Sequence, residues 1–578
     1  MPGIFGMAIF NNKVSGAAAS GALHAMQGLL RLRSEHVSDD LFMDGTVGAG
    51  RCHTGILTTQ AQPACSGEIF VWLDGETYNL RDQGNETESD ARLLLKKYQA
   101  DKTLAFLASI DGVFSAVIYD RENQTIHLCT DRHGLQHLYW IQTKDFLAWS
   151  SEYKAFLGLP GFTPHIDTHA LQSFLDYGYF IDKQTWFKEV FLIEPATIIS
   201  CDVPSGAISS KRYWDWNRIQ PLRAVGDIDE AAEEWGRRFI AAVKRRSKPG
   251  EKTGITLSGG LDSRAILAAM PLSDRKIPAF TYGNSGCDDI RIATRVAAIK
   301  GADHSTYELT SDAWLYANVA AVWATDGEVC YLDTNGNEYL ETFSKKMNIC
   351  LNGIGGDAIH GGSYLSMKNQ HGANPLDPYG DRGRRFIRPG FRIDESFYHV
   401  RMPFYDNTLV EFTMSLPGEM RKNARFYKKA LLRTFPEYFR SIPWQKTGVP
   451  ISYPEVLANL VYIGTRAKSA VARSMGILGI SLFDGRICVS QRARSRSEGG
   501  RAFLSALLFN KNALYGEYIP RERVFAAWQR HARGTSDETK SINRWATLEI
   551  WLQQVFSRSL RPEPHNFPFV TIQRLGSP

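Results

Sequence analysis

A chain of 578 residues exceeds what one hydrophobic core sustains, so two or three domains are expected. Its 43% hydrophobic and 22% charged residues are the balance of a globular protein, and a net charge of +6 is too slight at this length to point to a nucleic-acid partner. No apolar run approaches the roughly 18–20 residues of a membrane span. The opening MPGIFGMAIF is too short and uncharged for a signal peptide, and the scattered cysteines, with no C-x-x-C pair, argue against structural zinc and fit a reducing cytoplasm.

Residues 1–215 read as strands and turns with a few helices. Gly3–Phe10 has the character of a buried strand, and Ile69–Leu73 is a second strand, predicted to end in the turn Asp74-Gly75-Glu76. Ser89 is placed to cap a helix over Ser89–Tyr98. DGVFSAVIYD (Asp111–Asp120) and Thr125–Cys129 form a strand pair joined by the polar turn RENQ. DRHGLQHLYW (Asp131–Trp140) and AWSSEYKA (Ala148–Ala155) follow.

In this order these segments resemble the class II glutamine amidotransferase domain of the asparagine synthetase family. That family's DGxFAxxxYD, DRxGxxPLYY and ASExKAL stand here as DGVFSAVIYD, DRHGLQHLYW and WSSEYKAFL. The resemblance implies a four-layer α-β-β-α sandwich of the kind built around an N-terminal nucleophile. It also exposes a departure. The family begins Met-Cys-Gly-Ile, and the cysteine thiolate attacks the glutamine amide. This chain begins Met1-Pro2-Gly3-Ile4, and proline carries no thiol. The family's NGEIYN is DGETYN here, so an amide donor gives way to the carboxylate of Asp74, which opposes an oxyanion. Arg51, Gly75 and Asp90 match positions that hold glutamine in the family. The domain is expected to fold without hydrolysing glutamine.

A stretch around 190–216, ending in RYWD, looks like the family's linking hairpin. A helical stretch from about 228 to 246 then leads into GITLSGGLDSR, Gly254–Arg264. Strand, glycine turn and helix start aim backbone N–H groups and a positive helix end at an anion. Gly259 and Gly260 let the backbone approach phosphate oxygens, and Ser258 and Ser263 add hydroxyls. A carboxylate at Asp262 would repel bare phosphate but suits Mg²⁺, which prefers oxygen ligands. No Lys-Ser/Thr pair follows the glycines, so this is not a Walker A loop.

The stretch resembles the SGGxDS loop of the PP-loop ATP pyrophosphatases, which cleave ATP between the α and β phosphates. Downstream, Ile277–Tyr282 reads as a strand, Asp288–Ile299 as an amphipathic helix, and Ile349–Gly362 (ICLNGIGGDAIHGG) as a strand ending at Leu351 before a glycine turn. This alternation predicts a mostly parallel sheet with helices on both faces and ligands at the carboxyl ends of its strands. ICLNGIGGDAIHGG resembles the synthetase motif LSGEGxDExFGG. The resemblance places Asn352 and Gly353 on the nucleotide, with Thr256, Leu257 and Tyr282 about the adenosine. It makes Asp357 the partner of Asp262 on Mg²⁺; the plainer alternative is a turn carboxylate. Two family glutamates are Ile354 and Ala358 here, and isoleucine does no acid–base work.

HVRMPFYDNTLVEFTMSLP (His399–Pro417) resembles the family's RxPFLD segment, with Arg401 and Asp406 as its polar residues, tying helices together or touching substrate. KALLR matches KxxLR, and IPWQKTGVPIS (Ile442–Ser452) resembles the loop whose lysine, here Lys446, reaches the active site. Residues 467–501 are basic and rich in Ser and Gly, and part of them is expected to be a mobile loop. RWATLEIWLQQVF (Arg544–Phe556) reads as a closing helix.

The expectation is an amidotransferase-like domain over 1–215 followed by a ligase domain over 216–578. The implied reaction uses ATP and Mg²⁺ to adenylate a small-molecule or peptide carboxylate and passes the acyl group to ammonia or an amine. A cytoplasmic protein, possibly a homodimer, without nucleic-acid or membrane partners is expected. The alternative is a catalytically silent relative serving as scaffold or as nucleotide or metabolite sensor. A PP-loop tRNA-modifying enzyme lacks the cysteine pairs that chemistry uses.

Overall fold

The computed structural model describes residues 3–10, 13–80, 88–222, 227–272, 274–309, 312–363, 378–458, 460–461, 463–464 and 490–569. The first two layers are antiparallel sheets. One runs Phe191–Leu192, Tyr139–Gln142, Phe146–Ser150, Ile4–Ile9, Val47–His53, with Val37–Ser38 and Phe42–Met43 also paired to the last. The other runs Ala207–Arg212, Thr197–Asp202, Thr125–Thr130, Gly112–Asp120, Ile69–Thr77, Ala64–Ser66.

The period of two along a strand decides which side chains fill which layer. Ile4, Ala8, Trp72 and Val117 lie between the sheets. Phe5 and Met7 face the helix Gly16–Leu30 through Leu23 and Met26, while Val71, Leu73 and Phe114 face the helix Asp90–Ala100 through Leu94. The result is the expected α-β-β-α sandwich. The turn expected at Asp74-Gly75-Glu76 is not there. The strand runs on to Thr77, because Gly75, at φ +102°, packs against the backbone of the neighbouring strand where a Cβ would meet the Val113 carbonyl at 2.1 Å. Ser89 precedes its helix without a side-chain capping bond.

The third sheet has five parallel strands in the order Asp303–Glu308, Pro278–Gly283, Thr253–Thr256, Ile349–Leu351, His399–Arg401. Chain order reverses between Thr253–Thr256 and Ile349–Leu351, the place where open α/β sheets leave a crevice for ligands. Ile255 and Leu351 pack under the helix Leu261–Ala269 through Ile266, while Phe280, Cys350 and Val400 belong to a core on the opposite face.

Arg401 and Asp406 hold regions together. Arg401 donates to both oxygens of Glu76, at 2.6 and 2.8 Å, and to Glu251. Asp406 accepts from Arg246 at 2.8 Å and caps the helix Asn407–Ser415. Of the basic stretch 467–501, residues 467–489 lie outside the described residues. The remainder forms the helix Gln491–Arg496 and enters the helix Glu498–Leu508, with Arg494 buried on the Trp314 ring. The closing helix runs Thr539–Leu552. Among the described residues no helix is long and apolar enough to cross a membrane.

Candidate functional site

Two loops leave adjacent strand ends at the reversal point and close on each other. The first is Leu257–Gly260, leading into the helix Leu261–Ala269 with Gly260 as its N-cap. The Ser258 and Ser263 hydroxyls meet at 3.0 Å, and Ser263 also accepts from the Ser258 N–H. The second is Asn352–His360, where Gly353 and Gly356 pass directly over Asp262. A Cβ on Gly356 would lie 2.3 Å from the Asp262 carboxyl carbon, and one on Gly353 2.8 Å from its Cβ. These glycines let Asp357 arrive beside Asp262, whose Oδ2 accepts the Asp357 N–H at 3.1 Å.

Asp262 is held further by Tyr427, which donates to Oδ1 at 2.8 Å. Loss of water around its carboxyl pushes Asp262 up to about 7; the Tyr427 bond pulls it down and the neighbouring Asp357 carboxylate raises it again. A nearby cation would restore its charge. Asp357 is exposed, and among the described residues its carboxylate accepts no hydrogen bond. Among the described residues no group of three or more His, Cys, Asp or Glu side chains is arranged to hold a metal. A pair of carboxylates still suits Mg²⁺, which takes one or two from protein and completes its shell with phosphate and water.

Opposite lies Trp444, with the ammonium of Lys446 5.2 Å and that of Lys428 5.5 Å from its ring centroid. Burial lowers the Lys428 pKa, with Lys446 lowering and Asp357 raising it. The lysine loop is fixed to the glycine loop by Arg264. This buried guanidinium donates to the carbonyls of Gly259 at 3.1 Å and Pro443 at 2.8 Å, while the Gln445 N–H donates to Gly259 at 3.3 Å. Asp289 accepts the Gly259 N–H at 2.7 Å.

The other residues singled out in sequence divide into two groups. Thr256, Tyr282 and Asn352 line one cavity of about 260 Å³ on the sheet face opposite the helix Leu261–Ala269. Leu257 does not join them: its side chain is in the core, its N–H donates to Phe280, and its carbonyl accepts from Thr281. Arg51, Asp74, Gly75 and Asp90 line a separate cavity of about 70 Å³ in the N-terminal region. There Arg51 pairs with Asp39 at 2.7 Å, and Thr77 donates to Asp90 at 2.7 Å. Asp74 accepts from Gln136 at 2.6 Å and Ser151 at 3.0 Å; burial raises its pKa and these bonds lower it.

A family model described as a glutamine amidotransferase domain matches residues 1–214, and the asparagine synthase model matches residues 234–387. Human asparagine synthetase [glutamine-hydrolyzing] is 25% identical over 413 residues, 65% of this chain and 70% of that protein. The amidase chry2 of Gibberella zeae is 26% identical over 302 residues, 47% of this chain and 43% of that protein, so less than half of the amidase is spanned. The solved glutamine phosphoribosylpyrophosphate amidotransferase of B. subtilis, complexed with ADP and GMP, aligns over 53% of this chain and 81% of that one, at 11% identity and a TM-score of 0.25.

The chain belongs to the asparagine synthetase family. Against the ligases of that ATP-dependent family, the structure accounts for one departure noted in the sequence. Ile354, where the family motif carries glutamate, packs with Val113, Leu135, Met402 and Tyr405. Ile354 is thus part of the contact between the N-terminal sandwich and the synthetase sheet.

Several residues here were not found by reading the sequence. Tyr427 and Lys428 sit just before the KALLR match, and Arg264 closes the SGGLDSR motif itself. Asp289 opens a helix beside a second aspartate, where a first-turn carboxylate is expected for the helix dipole alone. Only Arg264 carried a usable signal, a guanidinium one turn into an apolar helix.

Proposed function

We propose that this chain is an ATP-dependent carbon–nitrogen ligase. It adenylates a carboxylate with release of pyrophosphate, and passes the acyl group to ammonia or an amine. The observation that supports this best is the meeting of Asp262 and Asp357 at the sheet's reversal point, beneath a serine- and glycine-lined helix start. In this reading Ser258, Gly259, Gly260 and Ser263 hold the β and γ phosphates, with Asn352 and Gly353 along the nucleotide and Thr256 and Tyr282 near the adenosine. Asp262 and Asp357 would hold Mg²⁺, which neutralises phosphate charge during substitution at phosphorus.

The substrate carboxylate attacks the α-phosphorus, and the P–O bond to pyrophosphate breaks. Lys446 faces the charge that develops there, and again the oxyanion that forms when the amine adds to the acyl carbon. Lys428, beside the same ring and partly withdrawn from water, adds to that field. In this reading the ligase unit comprises 216–578. The sandwich of 1–215 keeps its fold and does not hydrolyse glutamine, because Pro2 supplies no thiol and Asp74 stands where an amide donor is needed.

ATP–pyrophosphate exchange screened against a panel of carboxylates tests this, with Asp262→Ala as control. Exchange that requires one carboxylate, vanishes in the variant, and is accompanied by no ammonia release from glutamine is the expected result. No exchange with any carboxylate, together with no nucleotide binding, returns the protein to the scaffold reading.

A further inference from the structure

A cavity of about 560 Å³ lies at the opposite end of the parallel sheet from the nucleotide loops, within the roughly 300–1,000 Å³ usual for small-molecule sites. It is walled by Ser247–Thr253, which lead into one strand, by Ile277 and Pro278 at the start of its neighbour, and by Lys346. The strand Thr253–Thr256 starts at this cavity and runs to the glycine loop, so about 15 Å of extended chain separates the two. None of the residues of the candidate site lines it.

Five cationic side chains and two carboxylates line the space. Several are already engaged. Glu251 accepts from Arg401 at 2.8 Å, Lys346 donates to Asp303 at 3.1 Å, and Lys248 lies 3.7 Å from Glu76. Lys252 and Lys276 are exposed, and neither ammonium has a hydrogen bond or ion pair among the described residues. Two free ammonium groups thus stand against one free carboxylate, the exposed Asp274.

Strand register brings those two ammonium groups together. Ile255 pairs with Ala279. One step back, Gly254 lies against Pro278, where a Cβ would meet the proline carbonyl oxygen at 2.8 Å. Carried back two steps more, the same offset sets Lys252 level with Lys276. Adjacent strands are about 4.8 Å apart, and residues level with each other share a face. Like charges side by side cost free energy, which an anion between them relieves. Pro271 and Leu272 on the same cavity wall are exposed, Leu272 at 77%.

We propose that this cavity binds a phosphate monoester with a compact apolar body, its phosphate between Lys252 and Lys276 and its body against Pro271 and Leu272. A phosphate monoester carries about two negative charges at neutral pH and matches two ammonium groups, whereas one carboxylate matches only one. The apolar wall adds the burial that inorganic phosphate cannot use. The site is separate from the nucleotide loops and does not depend on the adenylating reading.

Calorimetric titration of the full chain with 1-naphthyl phosphate tests the proposal, with 1-naphthol and inorganic phosphate as the two halves of the probe. The wild type is expected to bind the ester saturably, and about tenfold or more tighter than either half. The double variant Lys252→Gln, Lys276→Gln is expected to weaken the ester about tenfold or more with its thermal midpoint unchanged, since both side chains are exposed. The double variant Lys428→Met, Lys446→Met, at the other end of the sheet, is expected to bind it as the wild type does. No saturable binding to the wild type overturns the proposal, as does equal binding of either half. So does loss of binding in the Lys428, Lys446 variant with none in the Lys252, Lys276 variant, which would put the ester at the nucleotide loops.

Discussion

The two polar centres of this molecule, the N-terminal cavity and the meeting point of Asp262 and Asp357, treat their polar groups differently. In the N-terminal centre the groups satisfy one another: Arg51 with Asp39, Thr77 with Asp90, and Asp74 with Gln136, which in turn accepts from Arg388. In the synthetase centre Asp262 and the Ser258–Ser263 pair are bonded internally, while three charged groups are not. The Asp357 carboxylate and the Lys446 and Lys428 ammonium groups make no hydrogen bond among the described residues. A buried polar group without a partner costs free energy, so a centre that no longer meets a ligand gains stability by closing its bonds internally. Substitutions should therefore register as lost stability in the first centre and as lost chemistry in the second.

The largest expected effect is in the second. Asp262→Asn should lower pyrophosphate exchange by roughly 10²–10³-fold while leaving the denaturant midpoint near that of the wild type. A variant that unfolds with its activity per folded molecule intact would erase the distinction. Next comes Arg51→Met, which takes the guanidinium from Asp39 in a pair whose side chains are only 5% and 6% exposed. It should cost about 3 kcal/mol of stability, in the range for breaking a buried ion pair. Exchange per folded molecule should not change, and a selective loss of exchange would mean that the N-terminal centre still serves catalysis.

Lys446 and Lys428 sharpen the comparison within one site. Lys446→Met should lower amide formation roughly 10²-fold and Lys428→Met roughly tenfold, read in single-turnover assays at saturating ATP. Equal losses would make the two ammonium groups one functional unit, and the double variant would then cost no more than either single one.

The layers were legible in the sequence because alternation along Ile4–Ile9 and Gly112–Asp120 and the glycine loop at 258–260 are local signals. What escaped depended on distant segments meeting. Tyr427 reaches Asp262 across 165 positions, and Arg264 reaches Pro443 across 179. The turn misplaced at Asp74-Gly75-Glu76 shows the same limit: a positive-φ glycine usually announces a chain reversal, and only the neighbouring strand's backbone reveals that here it permits close pairing. Ile354 was legible as a lost acid, and its role in joining the two halves was not.

The smallest effect is a difference in slope with pH. Burial raises the Asp39 pKa, but the bonds from His53 and Arg51 outweigh it and hold the carboxyl below its usual value. Its contribution is present above about pH 4 and fades as pH falls through the folded-state value, so the deficit of Arg51→Met should shrink on acidification. Asp394, which lines the cavity of Thr256, Tyr282 and Asn352 and is raised to about 7, has the opposite sign. The unfolded chain releases this proton near pH 4 and the folded chain holds it, so stability drains as pH rises between those limits. Asp394→Asn carries no such proton. Its stability relative to the wild type should be unchanged near pH 4 and rise to a plateau above pH 7, on the order of 1–3 kcal/mol after allowance for water in the cavity. Urea midpoints measured across that range read both slopes. If the two slopes share a sign, burial does not set the Asp394 carboxyl apart from the paired carboxyl of Asp39.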